Sequence, residues 1–125
     1  MLTRSRTTRK VLAVFLALIS FRVTYALRYD REVILSFHEA DSERLWTTGH
    51  CRKLPTDLHS LALKKLYILN AALALENLMV PPGNRLEKLR GDRKGQHSIR
   101  VNDRYRICFE WRDGNAHRVE IVDYH

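Results

Sequence analysis

The stretch His97-Ser98-Ile99-Arg100-Val101-Asn102-Asp103-Arg104-Tyr105-Arg106-Ile107-Cys108-Phe109-Glu110-Trp111-Arg112-Asp113-Gly114-Asn115 decides the fold. His97, Ile99 and Val101 alternate with Ser98 and Arg100, and Tyr105, Ile107, Phe109 and Trp111 alternate with Arg106, Cys108 and Glu110. A period of two is the pattern of β-strands, whose successive side chains point to opposite faces. Asn102-Asp103 turns the chain between the two runs, and Asp113-Gly114-Asn115 is a hairpin signal, because Asp-Gly accepts the positive φ of a tight two-residue turn. Val119 and Ile121 carry a last strand toward Asp123. Upstream, Pro81-Pro82-Gly83-Asn84 marks a loop. Before it, a helix begins at Pro55 and Thr56, with Leu58, Leu61, Ala62, Leu66, Leu69 and Leu73 at steps of three and four. A shorter helix spans Glu39–Thr48 and stops at Gly49, and Val33–Phe37 is an apolar run suited to a strand. The expected class is α+β: two N-terminal helices packed on one face of a mainly antiparallel, twisted β-sheet.

The chain of 125 residues has the size of one domain, and its 45% hydrophobic and 29% charged residues fit a modest core rather than a membrane bundle. A formal charge of +8 points to a polyanionic partner such as nucleic acid, a ribosome or an acidic protein. Residues 1–32 hold seven Lys/Arg against Asp30 and Glu32, so much of that charge lies ahead of the folded pattern. Cys51 and Cys108 form no disulfide framework and read as reduced, small apolar residues of a cytosolic protein. His38, His50, His59, His97, His117 and His125 lack the spacing of metal ligands, so neither a metal nor a cofactor is expected.

Residues 1–32 form an N-terminal extension to a domain over 33–125. Arg4, Arg6, Arg9 and Lys10 followed by Val11–Ile19 resemble the start of a secretory signal reaching to about residue 26. The apolar run is far short of the ~20 residues that span a bilayer, and Arg22 breaks the stretch between that run and residue 26. The other readings are a weakly ordered extension and an upstream stretch ahead of a true start at Val33. A cytoplasmic protein without stable membrane association is expected.

Between Arg85 and Arg106 lie eight cations (Arg85, Lys88, Arg90, Arg93, Lys94, Arg100, Arg104, Arg106) against Glu87, Asp92 and Asp103. Arg90, Arg93 and Lys94 sit around Gly91 and Gly95, where glycine lets backbone approach a phosphate that the cations neutralise. Charge alone leaves this loop either a phosphate cradle or a solvated basic hairpin. Arg106, beside Arg100 and Arg104, suits bidentate phosphate binding, or equally a surface ladder with Glu110 and Glu120. His97 and His117 read as caps of a sheet face. Of Asp123-Tyr124-His125, the histidine suits proton transfer near neutral pH, the aspartate suits orienting it or acting as a base, and the tyrosine suits stacking on a base. By position alone the trio reads first as a frayed chain end.

The run Asn84-Arg85-Leu86-Glu87-Lys88-Leu89-Arg90-Gly91-Asp92-Arg93-Lys94-Gly95-Gln96-His97-Ser98-Ile99-Arg100-Val101-Asn102 closely resembles the HigB toxins of bacterial toxin–antitoxin systems. Tyr105-Arg106-Ile107-Cys108-Phe109, the closing Val119-Glu120-Ile121-Val122-Asp123-Tyr124-His125, Ser36-Phe37 and Thr48-Gly49 extend the resemblance over about 33–125. It implies a RelE-like fold, cleavage of messenger RNA in the ribosomal A site, and a HigA-type helix-turn-helix antitoxin through which alone DNA is met. It also implies a catalytic set of Asp123, Tyr124, His125, Glu87 and Arg106. Arg90, Arg93 and Lys94 match its phosphate-binding positions, and Arg85, Lys88, Arg100 and Arg104 are expected to bind RNA beside them. Some members carry a histidine where Glu87 stands, so the resemblance leaves the base as Glu87 or Asp123. The chemistry implied is metal-independent attack of a ribose 2′-OH on the adjacent phosphate, with His125 protonating the leaving oxygen. A ParE-like toxin that binds DNA gyrase without cleaving anything is the rival on the same fold.

Overall fold

The computed structural model describes residues 32–124; the expectations for residues 1–31 and for His125 lie outside them. Helix α1 spans Ala40–Thr48 and α2 spans His59–Asn70, entered through a 3₁₀ turn at Thr56–Leu58. Strands β1 (Glu87–Lys88), β2 (His97–Arg100), β3 (Tyr105–Arg112) and β4 (Asn115–Asp123) form one antiparallel sheet in the order β1-β2-β3-β4. The α+β expectation is met in that antiparallel sheet and these two helices.

The start of α1 is fixed by Glu39, whose side chain accepts from the N–H groups of Asp41 (2.9 Å) and Ser42 (3.1 Å) and from the Ser42 hydroxyl. Asp41 and Glu43 add negative charge to the first turn, where the helix dipole favours it. Gly49 ends the helix at φ 86°, a left-handed geometry that costs glycine nothing, and its N–H closes on the Leu45 carbonyl. Glu39 also faces Lys53 at 3.3 Å. Burial pushes the Glu39 carboxyl up, but the hydrogen bonds from Ser42 and the charge of Lys53 outweigh it, so its pKa lies below the ordinary glutamate value. A carboxylate depressed on folding stabilises the fold above its unfolded pKa and loses that contribution as pH falls through the folded value. Acid titration of thermal stability should therefore fall off in the acid range below the ordinary glutamate pKa, and Glu39→Gln should flatten that limb. An unchanged limb would remove Glu39 from the account.

In α2 the stripe reads as expected at Ala62, Leu66 and Leu69, all fully buried, whereas Leu73 is exposed because the helix has already stopped at Asn70. The Asn70 side chain at that end has a second task. Its Oδ1 accepts from the N–H groups of both Val33 and Ile34 at 2.9 Å, pinning the chain entering the domain to the end of α2. The strand expected over Val33–Phe37 is reduced to two isolated parallel bridges, Ile34 with Ala116 and Phe37 with Val119, alongside β4. Asn70 takes the N–H groups on its outer edge, which blunts that edge against further pairing.

The Asp113-Gly114 turn has both φ values positive (53° and 77°), as the hairpin signal requires. Between β3 and β4 a bulge sets Phe109 against Arg118 and Val119, with Arg118 at φ 53°. The Arg118 N–H donates to Ser36 Oγ at 2.8 Å. One core gathers Leu45 and Trp46 of α1, Leu66 and Leu69 of α2, and Ile107 and Ile121 of the sheet. The half-buried reading of β3 needs correction at two positions. Arg106 and Cys108 point away from this core and are nevertheless buried, because segment 85–96 folds back over their face. Both cysteines are free, and burial raises the pKa of the Cys108 thiol, which keeps it protonated and unreactive.

Candidate active site

Cross-strand partners share a face, so register sorts the charged residues. Glu87, Ser98, Cys108 and Glu120 form one row across the sheet on the face opposite the helices, and Arg100, Arg106 and Val122 form the next. His97 lies on the core face, stacked on Phe109 with ring centroids 6.3 Å apart. Burial, then the charge of Lys88, lowers its pKa, which suits a residue packed on the sheet rather than one shuttling protons. His117 pairs with Glu110 on β3.

Arg106 is the centre of the face that segment 85–96 covers. It is only 9% exposed. Its Nε donates to Ser98 Oγ at 2.7 Å, and its Nη2 donates to the Arg85 carbonyl and, at 3.4 Å, to the Ser98 carbonyl. Arg85 offers that carbonyl from a left-handed backbone (φ 45°) closing the 3₁₀ turn Pro82–Asn84. Glu87 Oε1 stands 3.8 Å from Nη2. The surface ladder with Glu110 and Glu120 is thereby overturned, since Glu120 holds Arg93 at 3.2 Å and Glu110 lies near Arg112 and Arg118. Among the described residues nothing accepts from Nη1 of Arg106. A guanidinium fixed at two nitrogens and unspent at the third is preorganised for an anion.

The end of β4 lies beside it. Val122 is the cross-strand partner of Arg106, and Asp123 pairs with Tyr105. Both Asp123 oxygens accept from Arg104, at 3.0 Å from Nε and 2.8 Å from Nη2. The Tyr124 N–H donates to the Arg104 carbonyl at 2.6 Å, so pairing runs on past the strand and leaves the Tyr124 ring 40% exposed at the rim. Arg104 stacks over Tyr105 at 5.8 Å. Glu87 and Arg106 share the face opposite the helices, whereas Asp123, paired with Tyr105, lies on the other face at the same end of the sheet, with Tyr124 following it; His125, one residue further on, lies outside the described residues.

The expected RNA-binding cations divide into two groups. Arg93 is tied to Gln96 (3.1 Å) and Glu120 and anchors its loop, Arg100 is paired with Asp103, and Arg104 is spent on Asp123. Arg85, Lys88, Arg90 and Lys94 are exposed, and their side chains make no ion pair among the described residues. Gly91 and Gly95 take φ 62° and 94°, which lets the 3₁₀ turn Gly91–Arg93 fold tightly and present Arg90 and Lys94 outward. Ser98 was invisible to sequence reasoning as a site residue, because a serine on a strand signals nothing until the arginine it holds is known to be buried.

A family model described as the RelE-like toxin of the type II toxin–antitoxin system HigB matches residues 35–125. The chain belongs to the HigB-like toxin family. Toxin HigB-1 of Vibrio cholerae serotype O1 is 41% identical over 91 residues, spanning 73% of this chain and 88% of that protein. An uncharacterised protein of Haemophilus influenzae is 30% identical over 69 residues, 55% of this chain and 68% of that one. As a HigB-like toxin of a type II pair, the chain has an antitoxin as its partner. Among the described residues no His/Cys/Asp/Glu group could hold a metal ion, and no helix is long and apolar enough to cross a membrane.

Proposed function

We propose that this toxin is a ribosome-dependent endoribonuclease that cuts messenger RNA in the ribosomal A site and so stops translation. It would act in the cytoplasm, opposed by a HigA-type helix-turn-helix antitoxin. The observation that carries the proposal is the buried, doubly held Arg106 with Glu87 beside it and the Asp123–Tyr124 chain end on the neighbouring strand.

In this scheme Glu87 takes the proton from the ribose 2′-OH, which attacks the adjacent phosphate. Arg106, with Arg90 from the loop, stabilises charge on the phosphorane. His125 protonates the departing 5′-oxygen. Tyr124 at the rim offers a ring for a base to stack on. Glu87 is favoured over Asp123 as the base, since both oxygens of Asp123 are already engaged by Arg104. Asp123 then acts as a positioning residue that ties the chain end to the β3 entry.

The test uses the purified full chain and ribosomes programmed with a defined message, with new RNA ends mapped by primer extension. Cuts within A-site codons are expected, ending in 2′,3′-cyclic or 3′-phosphate, and a message with 2′-deoxyribose at the cut position should stay intact. Cleavage of that deoxy substrate would sink the 2′-OH scheme. An intact message together with inhibited gyrase supercoiling would mark the ParE-like activity instead.

A further inference from the structure

Lys65, on α2, is a cation that the proposed chemistry does not use. Its Nζ donates to Asn84 Oδ1 at 2.7 Å. Asn84 is fully buried, and its amide nitrogen donates to the carbonyls of Leu78 (3.1 Å) and Val80 (3.3 Å), which fixes the oxygen toward Lys65. The ammonium is therefore held in place by a neutral acceptor. Among the described residues no carboxylate forms an ion pair with Lys65 or with its neighbour Lys64.

Arg100 lies close enough for its charge, with that of Lys64 and behind the effect of burial, to lower the Lys65 pKa. Arg100 is the direct cross-strand partner of Arg106 on the face opposite the helices. Its own acid, Asp103, has a side chain 99% exposed, and an ion pair so open to water contributes little and exchanges readily. Asn84 immediately precedes Arg85, whose carbonyl holds Arg106. Through Asn84 and Arg85, Lys65 is thereby joined to the end of the sheet that carries Arg106 and its partner Arg100.

We propose that Lys65 and Arg100 form a second phosphate subsite, taking the backbone phosphate of single-stranded RNA next to the one held at Arg106. The proposal rests on the RNA-cleaving reading for its ligand. Clustered cations of which one is fixed by a neutral amide suit a polyanion, which relieves their mutual repulsion on binding. A phosphodiester chain places successive charges so that cross-strand partners, about 5 Å apart at Cα, meet neighbouring phosphates.

The probe is a short single-stranded oligoribonucleotide with 2′-O-methyl riboses, which binds without being cut, titrated onto the full chain at several salt concentrations. Each phosphate contact in a single strand adds about 0.7 to the slope of log affinity against log salt. Lys65→Gln should lower that slope by about one such contact and weaken binding roughly threefold to tenfold at moderate salt. Lys65→Arg should restore both. In the unsubstituted chain, the oligonucleotide should protect the Lys65 amine from acylation more than it protects Lys64, a readout that needs no variant to fold. An unchanged slope in Lys65→Gln, or a Lys65 amine acylated equally with and without the oligonucleotide, overturns the subsite. A chain that binds the probe through Lys65 yet leaves ribosomal message intact overturns the nuclease reading and leaves the subsite standing.

Discussion

Arg106→Lys is expected to lower the single-turnover rate of message cleavage by roughly 10²–10³, the size of loss seen when one preorganised donor to a developing oxyanion is removed. The reason is geometric. The guanidinium reaches Ser98 Oγ through Nε and the Arg85 carbonyl through Nη2 at the same time, leaving Nη1 for a phosphate oxygen. An ammonium retains the charge but has one nitrogen, so it satisfies one of these partners or the phosphate, not all. Arg106→Ala should lose at least as much activity and also stability. It strands the buried Ser98 hydroxyl, at about 1–3 kcal/mol for a buried group left unsatisfied, and releases the part-buried Arg85 carbonyl. A thermal melt separates the two effects, since Arg106→Lys should unfold closer to the unsubstituted protein while cutting almost as poorly as the alanine form. A lysine variant with full cleavage would show that Arg106 is only a structural brace for the 85–98 segment.

The hairpins were legible in the sequence because period-two alternation and the Asp113-Gly114 turn are local signals that tertiary packing had no reason to override. The helices were nearly as clear, with Gly49 and the Ala62/Leu66/Leu69 stripe found where expected. What could not be read was anything decided by a distant contact. Asn70 at the end of α2 holds Val33 and Ile34, 37 and 36 residues away in sequence, and Leu73 lies beyond a helix its spacing fitted. The burial of Arg106 depends on the 85–96 segment folding over a face that alternation assigns to solvent. The same fold-back turns an apparent surface ladder into a held guanidinium. The basic stretch looked uniform because charge carries no partner information. In the structure Arg93, Arg100 and Arg104 each have an acid, whereas Arg85, Lys88, Arg90 and Lys94 are open to a ligand. Nothing in the sequence sets Lys65 apart, since a lysine beside the apolar stripe of a helix is ordinarily a solvated one.

The choice of base yields the sharpest contrast between two carboxylates. Glu87→Gln should lower the cleavage rate by about 10²–10⁴, the usual contribution of a positioned general base, and should abolish the acid limb of the pH–rate profile. Glutamine keeps the shape of the side chain beside Arg106 Nη2, 3.8 Å away in the parent chain, so folding should be little affected. Asp123→Asn removes a different thing. It weakens the two-oxygen clamp on Arg104, whose partners are 58% and 37% exposed, and pairs so open to water hold position only weakly. Its rate loss should therefore stay near tenfold or less, and the pH profile should keep its acid limb. Measuring both variants across pH on programmed ribosomes distinguishes the roles directly. If Asp123→Asn lost the acid limb and Glu87→Gln kept it, the clamp would have to open on the ribosome to free Asp123 as the base. Glu87 would then serve to hold Arg106 in place until the RNA arrives.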